Sequence, residues 1–262
     1  MSFGSKINGL REIWKFDNRL YLAFSRLVFP HETVQLYRLG KVEFISDHSA
    51  GDANGAREVL TSPMYRELLE QIALPAEISV IDLGSNNGGF PLLLRSLGHD
   101  VRKLACVELN PETYGRLEFN LRRNFRSGFV ALNAAVAGRE GELNVSLGRG
   151  GAGDSIYGRQ TDDGAAEFAI RAITFDALFD EVFCGETVDI CKIDIEGAEF
   201  EMFAAAERLG CCRHLVIEIH HGPGRDRRAV LDELARRGFE EIAGEGKSDE
   251  HHHVHLFRNA EL

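Results

Sequence analysis

The chain has 262 residues, 44% of them hydrophobic, and a formal net charge of −11 at pH 7. This length and composition predict one main domain with a sizeable core and room for an appendage. The acidic balance argues against a duplex nucleic-acid partner, because such partners are bound by clustered Lys and Arg. The sequence has no run of about 18 apolar residues, which is the length that would predict a transmembrane helix. Five cysteines, an odd number that includes the adjacent Cys211 and Cys212, favour reduced thiols and a cytoplasmic protein.

The N-terminal region has the pattern of an amphipathic helix. Apolar residues recur at helical spacing from Ile13 to Val28, and Pro30 ends the pattern. We expect this helix to dock on the main domain or on a second subunit. A lid over the substrate and a contact with a membrane surface are the alternatives.

Two further elements precede the main domain. Gln35–Ser46 has the pattern of a strand pair, and Arg57–Ile72 has that of a helix which Pro63 bends or restarts. We therefore assign residues 1–75 to an N-terminal extension that serves as a lid or as a dimerisation segment. Residues 76–262 form the main domain. A homodimer through the N-terminal segment is one expectation from this division.

From Ile78 onward, strand patterns and helix patterns alternate, which predicts a parallel sheet with helices on both faces. The predicted strands are Ser79–Leu83, Lys103–Leu109, Gly128–Leu132, Val188–Ile193 and Leu215–Ile219. The predicted helices are Gly89–Leu97, Pro111–Asn124, Phe175–Phe183, Gly197–Arg208 and Asp226–Arg237. Two more strands, Gly238–Ala243 and His253–Phe257, follow as an antiparallel pair. Within a longer insertion, Val136–Ile173, the segment Gly138–Gly141 predicts a hairpin turn.

The first strand of this sheet ends at Asp82, and a glycine-containing turn then leads into an apolar helix. Such an order of strand, turn and helix forms a cofactor crevice at the carboxyl end of a parallel strand. The turn consists of Gly84, Ser85, Asn86, Asn87 and Gly88. Glycines in the turn permit positive φ and a close approach of the backbone to a ligand. The spacing differs from the G-x-G-x-x-G pattern that holds a pyrophosphate.

Polar residues end the following strands as well. Glu108 ends the second strand, where an acid accepts hydrogen bonds from two ribose hydroxyls. Asn133 and Ala134 end the third strand, where an amide and backbone groups can read an adenine edge. Alternation along a strand places the carboxylates of Asp194 and Glu196 on one side. Glu218, His220 and His221 end the fifth strand. Because parallel strands end at one edge of a sheet, we expect all these groups to share one slot.

Four of these segments together resemble the FkbM family of S-adenosylmethionine-dependent methyltransferases. They are Asp82–Gly88, Asn133–Val136, Lys192–Glu199 and Glu218–His220. The resemblance covers roughly residues 78–243 and implies an α/β fold. That fold is a doubly wound, seven-stranded Rossmann-like sheet, mostly parallel, with an antiparallel C-terminal hairpin and here an N-terminal helical and hairpin extension. The family methylates mostly hydroxyls of sugars, polyketides and lipids. Gly89–Pro91 departs from the commoner small or aromatic run.

The resemblance also implies roles for individual residues. S-adenosyl-L-methionine would be bound by Asp82, Gly84, Ser85, Asn86, Asn87, Gly88, Glu108, Leu109, Asn133, Ala134 and Asp194. Glu108 would hold the ribose, Asn133 would lie beside the adenine, and Asp194 would face the amino group and the sulfonium. Substrate contacts are expected from Glu196, Glu218 and His221. The catalytic candidates are His220 and Asp194. His220 is the first choice as general base, because neutral imidazole is available near pH 7, and His221, Asp194 and Glu196 are alternatives.

Simpler structural roles compete with some of these interpretations. Asp194 and Glu196 could instead cap the helix predicted from Gly197. Lys192, in a strand expected to be buried, is predicted to pair with a neighbouring carboxylate. A divalent ion held by Asp194, Glu218 and His220 is a further alternative to a metal-free site.

The histidines near the C-terminus also admit a metal hypothesis. His251, His253 and His255 share one face of the last predicted strand. Metal-binding histidines are usually oriented by further partners, and none is evident in the sequence. We therefore predict a solvated strand face there and no metal site.

The sequence thus predicts a cytoplasmic methyltransferase that acts on a hydroxyl of a sugar, a glycan precursor or another small metabolite. A nicotinamide-dependent oxidoreductase is the first alternative, but Asn86 replaces the second glycine that a pyrophosphate needs. A non-catalytic interaction module on the same fold is the second alternative, because a fold does not determine a function.

Overall fold

The computed structural model describes residues 12–50, 55–147, 166–220, 226–246 and 252–262. Its strands are β1 (Val34–Leu39), β2 (Val42–Asp47), β3 (Glu77–Leu83), β4 (Asp100–Glu108), β5 (Phe129–Asn133), β6 (Ala135–Val136), β7 (Gly141–Leu147), β8 (Ala166–Ile173), β9 (Val188–Ile193), β10 (Cys212–His220), β11 (Phe239–Gly246) and β12 (His252–Asn259). Its α-helices are α1 (Arg19–Val28), α2 (Ala56–Thr61), α3 (Met64–Leu69), α4 (Gly89–Ser96), α5 (Pro111–Asn124), α6 (Phe175–Phe183), α7 (Glu199–Ala205) and α8 (Arg227–Arg236). A 3₁₀ turn follows α7 at Glu207–Cys211.

Seven strands form the central sheet in the order β11-β12-β10-β9-β3-β4-β5. β5, β4, β3, β9 and β10 are parallel, and β12 runs antiparallel to both of its neighbours. The predicted doubly wound sheet with an antiparallel end is therefore confirmed. Along the chain, β4 and β5 add to one side of β3, and β9 then pairs with the other side of β3. Such a switch point opens a crevice at the carboxyl ends of the strands, where ligands of this fold class bind.

Local capping signals explain why two helices begin where the sequence predicts. The Asn110 side chain accepts hydrogen bonds from the backbone N–H groups of Glu112 and Thr113 at the start of α5. Thr174 accepts the N–H of Ala177 at the start of α6. Each cap satisfies donors that the first helical turn leaves unpaired.

Other boundaries differ from the prediction. The helix predicted at Gly197–Arg208 is shorter, because α7 ends at Ala205 and a 3₁₀ turn follows. The helix predicted at Arg57–Ile72 restarts at Pro63, which is one of the two predicted alternatives, but its second part ends earlier, at Leu69. A proline is tolerated at the start of a helix but not in its interior.

The insertion between β5 and β9 contains a three-stranded sheet in the order β6-β8-β7. Ala172 of β8 pairs with Ala135 of β6 on one side and with Gly141 of β7 on the other. The predicted hairpin turn at Gly138–Gly141 is therefore wrong, because β8 lies between the two strands that this segment connects.

The N-terminal extension shares a hydrophobic core with the main sheet. The ring of Tyr37 lies 4.9 Å from that of Phe16 and 5.2 Å from that of Phe44, measured between centroids. All three rings are buried in the cluster that contains Val80 of β3 and Leu93 of α4. The extension is thus packed on one face of the sheet. No helix in the described part of the chain is both long enough and apolar enough to cross a membrane.

Two asparagines of α5 hold β2 along its second edge. The Asn120 side chain accepts the N–H of Ile45 at 2.7 Å and donates to its carbonyl at 3.0 Å. Asn124 makes the same pair of bonds to Glu43. The i, i+4 step on a helix is about 6 Å, close to the two-residue step of a strand, so the two amides act as a short substitute strand.

Candidate cofactor slot and carboxylate–histidine cluster

The glycine turn after β3 wraps around the end of β4. The N–H groups of Gly84 and Ser85 both donate to the carbonyl of Val107, at 3.0 and 2.9 Å. Gly84, Asn86 and Gly88 have φ angles of +73°, +49° and +92°. A Cβ on Gly84 would lie 1.7 Å from the carbonyl oxygen of Asp194, so a larger residue does not fit there. The turn therefore joins the ends of β3, β4 and β9.

Glu108 is bound to the backbone on both sides. One carboxylate oxygen accepts the N–H of Asn86, and the other accepts the N–H of Asn110, each at 2.8 Å. The residue is almost entirely buried. These bonds hold the carboxylate next to the glycine turn, which is where the sequence predicts the acid for a ribose.

Asn133 ties the end of β5 to the end of β4. Its side-chain amide donates to the carbonyls of Glu108 and Leu109, both at 2.9 Å. The N–H of Ala134 also donates to the carbonyl of Glu108. The predicted adenine-binding residues are thus neighbours of the predicted ribose-binding acid.

Two predicted cofactor residues use their side chains within the fold. Asn87 is fully buried, and its oxygen accepts the N–H of Ala56 at 2.6 Å. The Ser85 hydroxyl donates to the carbonyl of Asp82 at 2.7 Å. Asn87 thereby fastens the N-terminal extension to the turn, and contacts of these two side chains with a cofactor stay a prediction.

Lys192 of β9 is a buried cation beside Asp82 of β3. Its Nζ lies 3.1 Å from Asp194 Oδ2, 3.7 Å from Asp82 Oδ1 and 3.3 Å from the carbonyl of Gly84. The predicted pairing with a neighbouring carboxylate is therefore confirmed. Burial raises the pKa of Asp82 to about 6, although the Lys192 charge opposes that shift. Burial by itself would lower the pKa of Lys192, but Asp194 and Asp82 outweigh it and raise that pKa well above its ordinary value.

His220 is surrounded by four carboxylates. Its Nε2 lies 3.3 Å from Glu196 Oε2, 3.8 Å from Asp194 Oδ1 and 3.8 Å from Glu218 Oε1. Its Nδ1 lies 2.9 Å from Glu199 Oε1. Burial opposes a charge on the ring, but the Glu199 hydrogen bond and the carboxylates outweigh it and raise the pKa of His220 to about 9. Burial and the charge of Asp194 raise the pKa of Glu196 to about 7. These residues form the carboxylate–histidine cluster.

Most of the predicted site residues are neighbours along one edge of the sheet. A continuous path of contacts and of the glycine turn connects Asn133, Glu108, Asn86, Gly84, Lys192, Asp194 and His220. His221 lies outside the described residues. The glycine turn and the carboxylate–histidine cluster are therefore joined along one edge of the sheet, and a shared slot for a ligand stays a prediction.

Comparison with known families identifies the family of this chain. Residues 82–241, more than half of the chain, match the family model described as the methyltransferase FkbM domain. The protein belongs to the FkbM methyltransferase family. No curated protein matches the chain significantly in sequence.

Three solved structures show what this FkbM-family protein resembles in fold. Methyltransferase FkbM from Methylobacillus flagellatus KT is 15% identical with a TM-score of 0.50, over 72% of this chain and 45% of that chain. TYW2 from M. jannaschii, solved with AdoMet, is 14% identical with a TM-score of 0.46, over 87% of this chain and 85% of that one. TrmK from M. capricolum, solved with S-adenosyl-homocysteine, is 7% identical with a TM-score of 0.45, over 77% and 70% of the two chains.

Glu199 is a site residue that the sequence did not reveal. It is completely buried and contacts the His220 ring, yet its sequence position marks only the start of α7. The only sequence signal for it is its place in the segment Lys192–Glu199, which resembles the family. Neither Asp194 nor Glu196 caps α7 by a hydrogen bond, because Ala198 is at its N-cap position and no side chain makes such a bond; an interaction with the helix dipole stays a prediction.

The C-terminal histidines differ from the prediction at one position. His255 is buried, and its Nδ1 lies 2.6 Å from a carboxylate oxygen of Glu241. It therefore does not belong to a solvated strand face. His251 lies outside the described residues, as does the side chain of His253.

Proposed function

We propose that this FkbM-family protein uses S-adenosyl-L-methionine to methylate a hydroxyl of a sugar, a glycan precursor or another small metabolite. The observation that supports the proposal is the continuous series of contacts that joins Glu108 and the glycine turn to the carboxylate–histidine cluster. The family match argues for methyl transfer and against the nicotinamide-dependent oxidoreductase.

The cofactor would bind at the glycine-turn end of the slot. Glu108 would accept hydrogen bonds from the ribose hydroxyls, with Asn133 beside the adenine. The backbone of Gly84 and Gly88 would pass under the amino-acid end of the cofactor. Asp194 would face the sulfonium, and a carboxylate there favours the charged cofactor over its neutral product.

The acceptor would bind at the end formed by Glu196, Glu218 and His220. During transfer the hydroxyl oxygen forms a bond to the methyl carbon while the bond from sulfur to that carbon breaks. This in-line displacement depends on alignment and on a dry site. Because the pKa of His220 is about 9, its ring carries a proton at neutral pH in the ligand-free protein. We therefore assign the removal of the hydroxyl proton to the carboxylates of the cluster and assign His220 a positioning role, in place of the neutral base expected from the sequence.

Binding of S-adenosylmethionine and S-adenosylhomocysteine by calorimetry tests the cofactor assignment. Glu108→Ala should weaken both ligands by at least tenfold, because it removes the ribose acceptor and releases the turn. Glu118→Ala is the matched control, since Glu118 only pairs with Arg122 on the surface of α5. Absence of binding of either ligand to the unmodified chain would overturn the proposal. Transfer of a labelled methyl group to a panel of sugars and glycan precursors then tests the acceptor class.

We also propose a cytoplasmic homodimer that forms through the N-terminal segment. Five free thiols support a reducing compartment. The apolar side chains of Leu20, Phe24 and Leu27 on α1 are largely exposed, which supports a role for this face in association. Light scattering after size exclusion tests it: Leu27→Asp should yield monomers, whereas Leu262→Asp, at an exposed apolar position near the C-terminus, should not. A monomeric unmodified chain would contradict the homodimer.

A further inference from the structure

We propose that Asp194, Glu196 and His220 form a binding site for a divalent cation at the acceptor end of the slot. One ligand atom from each of the three residues lies within 4.8 Å of the other two. His220 Nε2 is 3.3 Å from Glu196 Oε2 and 3.8 Å from Asp194 Oδ1. Metal–ligand bonds of about 2.1 Å at octahedral angles place neighbouring ligand atoms about 3 Å apart, so a small contraction around an ion suffices.

Glu199 supplies an independent observation. Its carboxylate is completely buried, and Oε1 lies 2.9 Å from Nδ1 of the His220 ring. The other oxygen, Oε2, has no hydrogen-bond partner among the residues that the structure describes. A carboxylate that binds one ring nitrogen while the other nitrogen faces oxygen ligands is the usual arrangement around metal-binding histidines. Here it points Nε2 at Glu196 and Asp194.

The negative charge of this region also favours the binding of a cation. Asp194, Glu196, Glu199 and Glu218 provide four carboxylates around His220. Lys192 pairs with both Asp194 and Asp82, and a histidine that binds a metal is neutral, so the carboxylates of this region outnumber its positive charges. Buried carboxylates without compensation are costly, so an ion stabilises this arrangement.

The ligand types indicate which ion is bound. One imidazole nitrogen with two carboxylate oxygens suits Mn²⁺ or another first-row transition metal better than Ca²⁺, which prefers six to eight oxygen ligands. The role of the ion rests on the proposed function, whereas its binding does not. Bound there, it would hold the acceptor hydroxyl and lower the pKa of that group.

Titration of the metal-stripped full-length chain with Mn²⁺, followed by electron paramagnetic resonance, tests the site. We expect one tightly bound Mn²⁺ per chain. Glu196→Gln and His220→Gln should each weaken binding at least tenfold, and Glu199→Gln should weaken it by about 10- to 100-fold. Glu241→Gln is the matched control, because it removes a carboxylate from another histidine, His255, and should leave Mn²⁺ binding unchanged.

Two further measurements separate the outcomes. The replacement of His251, His252 and His253 by Ala removes a competing histidine-rich segment, and loss of binding in that variant with full binding in Glu196→Gln would overturn the site. Binding of S-adenosylhomocysteine is measured on the same samples. Chains that bind S-adenosylhomocysteine but no Mn²⁺ would overturn the metal site and leave the proposed function standing. Chains that bind Mn²⁺ through these residues but do not bind S-adenosylhomocysteine would support the metal site and overturn the proposed function.

Discussion

Gly84 lies directly against the backbone of Asp194, so close that a Cβ on the glycine would come within 1.7 Å of the aspartate carbonyl oxygen. The contact joins the turn after β3 to the end of β9 at the switch point of the sheet. The segments Asp82–Gly88 and Lys192–Glu199 thus depend on each other, because the glycine allows the close approach of Asp194 to the turn.

Replacement of Gly84 by Ala should disrupt this contact and lower the stability of the protein. Both Gly84→Ala and Gly185→Ala force a side chain into left-handed backbone, which costs about 1–2 kcal/mol. Gly185 has a φ of +87° but open space around it, so the first variant alone adds a steric clash. We expect Gly84→Ala to lose at least ~2 kcal/mol more than Gly185→Ala in urea unfolding. Equal losses in the two variants would contradict the close contact.

Lys192→Met should be strongly destabilising. It leaves the carboxylates of Asp82 and Asp194 without their buried cation, and breaking a buried pair in this way costs about 3–5 kcal/mol. Lys103→Met is the control, because Lys103 pairs with the exposed Glu186 at the surface and should cost at most about 1 kcal/mol. Chemical unfolding of both variants measures the difference. If Lys192→Met were as stable as the control, the ion pair would have no structural role.

Asp82 should titrate well above the ordinary range of an aspartate. Its pKa in the folded protein is raised from 3.8 to about 6 by burial, so the folded state binds its proton more tightly than the unfolded state. Its contribution to stability is therefore complete below about pH 4 and is lost as the pH rises through 6. Carbon-13 NMR of the labelled carboxyl should show a midpoint near pH 6. The fall in stability between pH 4 and 6 should be smaller in Asp82→Asn than in the unmodified chain. A midpoint near pH 4 would show that the carboxyl is solvated.

Asn120→Ala should loosen the N-terminal hairpin from α5. The variant leaves the N–H and the carbonyl of Ile45 without their side-chain partner and also removes a bond to the Asn87 carbonyl. Unpaired buried groups cost about 1–3 kcal/mol, so the Ile45 amide should exchange with deuterium markedly faster. Asn144→Ala, at an exposed position of β7, should leave that exchange unchanged. Unaltered protection of Ile45 in Asn120→Ala would show that β1 pairing alone holds the strand.

Much of the architecture follows from signals that lie within a few residues of each other. Pro111 with the Asn110 cap defines the start of α5, and apolar periodicity predicts each strand of the parallel sheet. The shared edge of Asp82, Glu108 and Asn133 follows as well, because parallel strands that alternate with helices end on one side. These features need only local chemistry and the handedness of the fold.

Tertiary packing decided what the sequence left open or misassigned. The burial of Glu199 against His220 depends on where α7 docks, and no local pattern encodes that position. Likewise, Asn87 is a clamp for the N-terminal extension because Ala56 packs beside it, although the two residues are far apart along the chain. The protonation of His220 depends on carboxylates from several elements, whose charges sum only after folding brings them together. Periodicity reports which side of an element is apolar, whereas partners and charge states arise from contacts between distant segments.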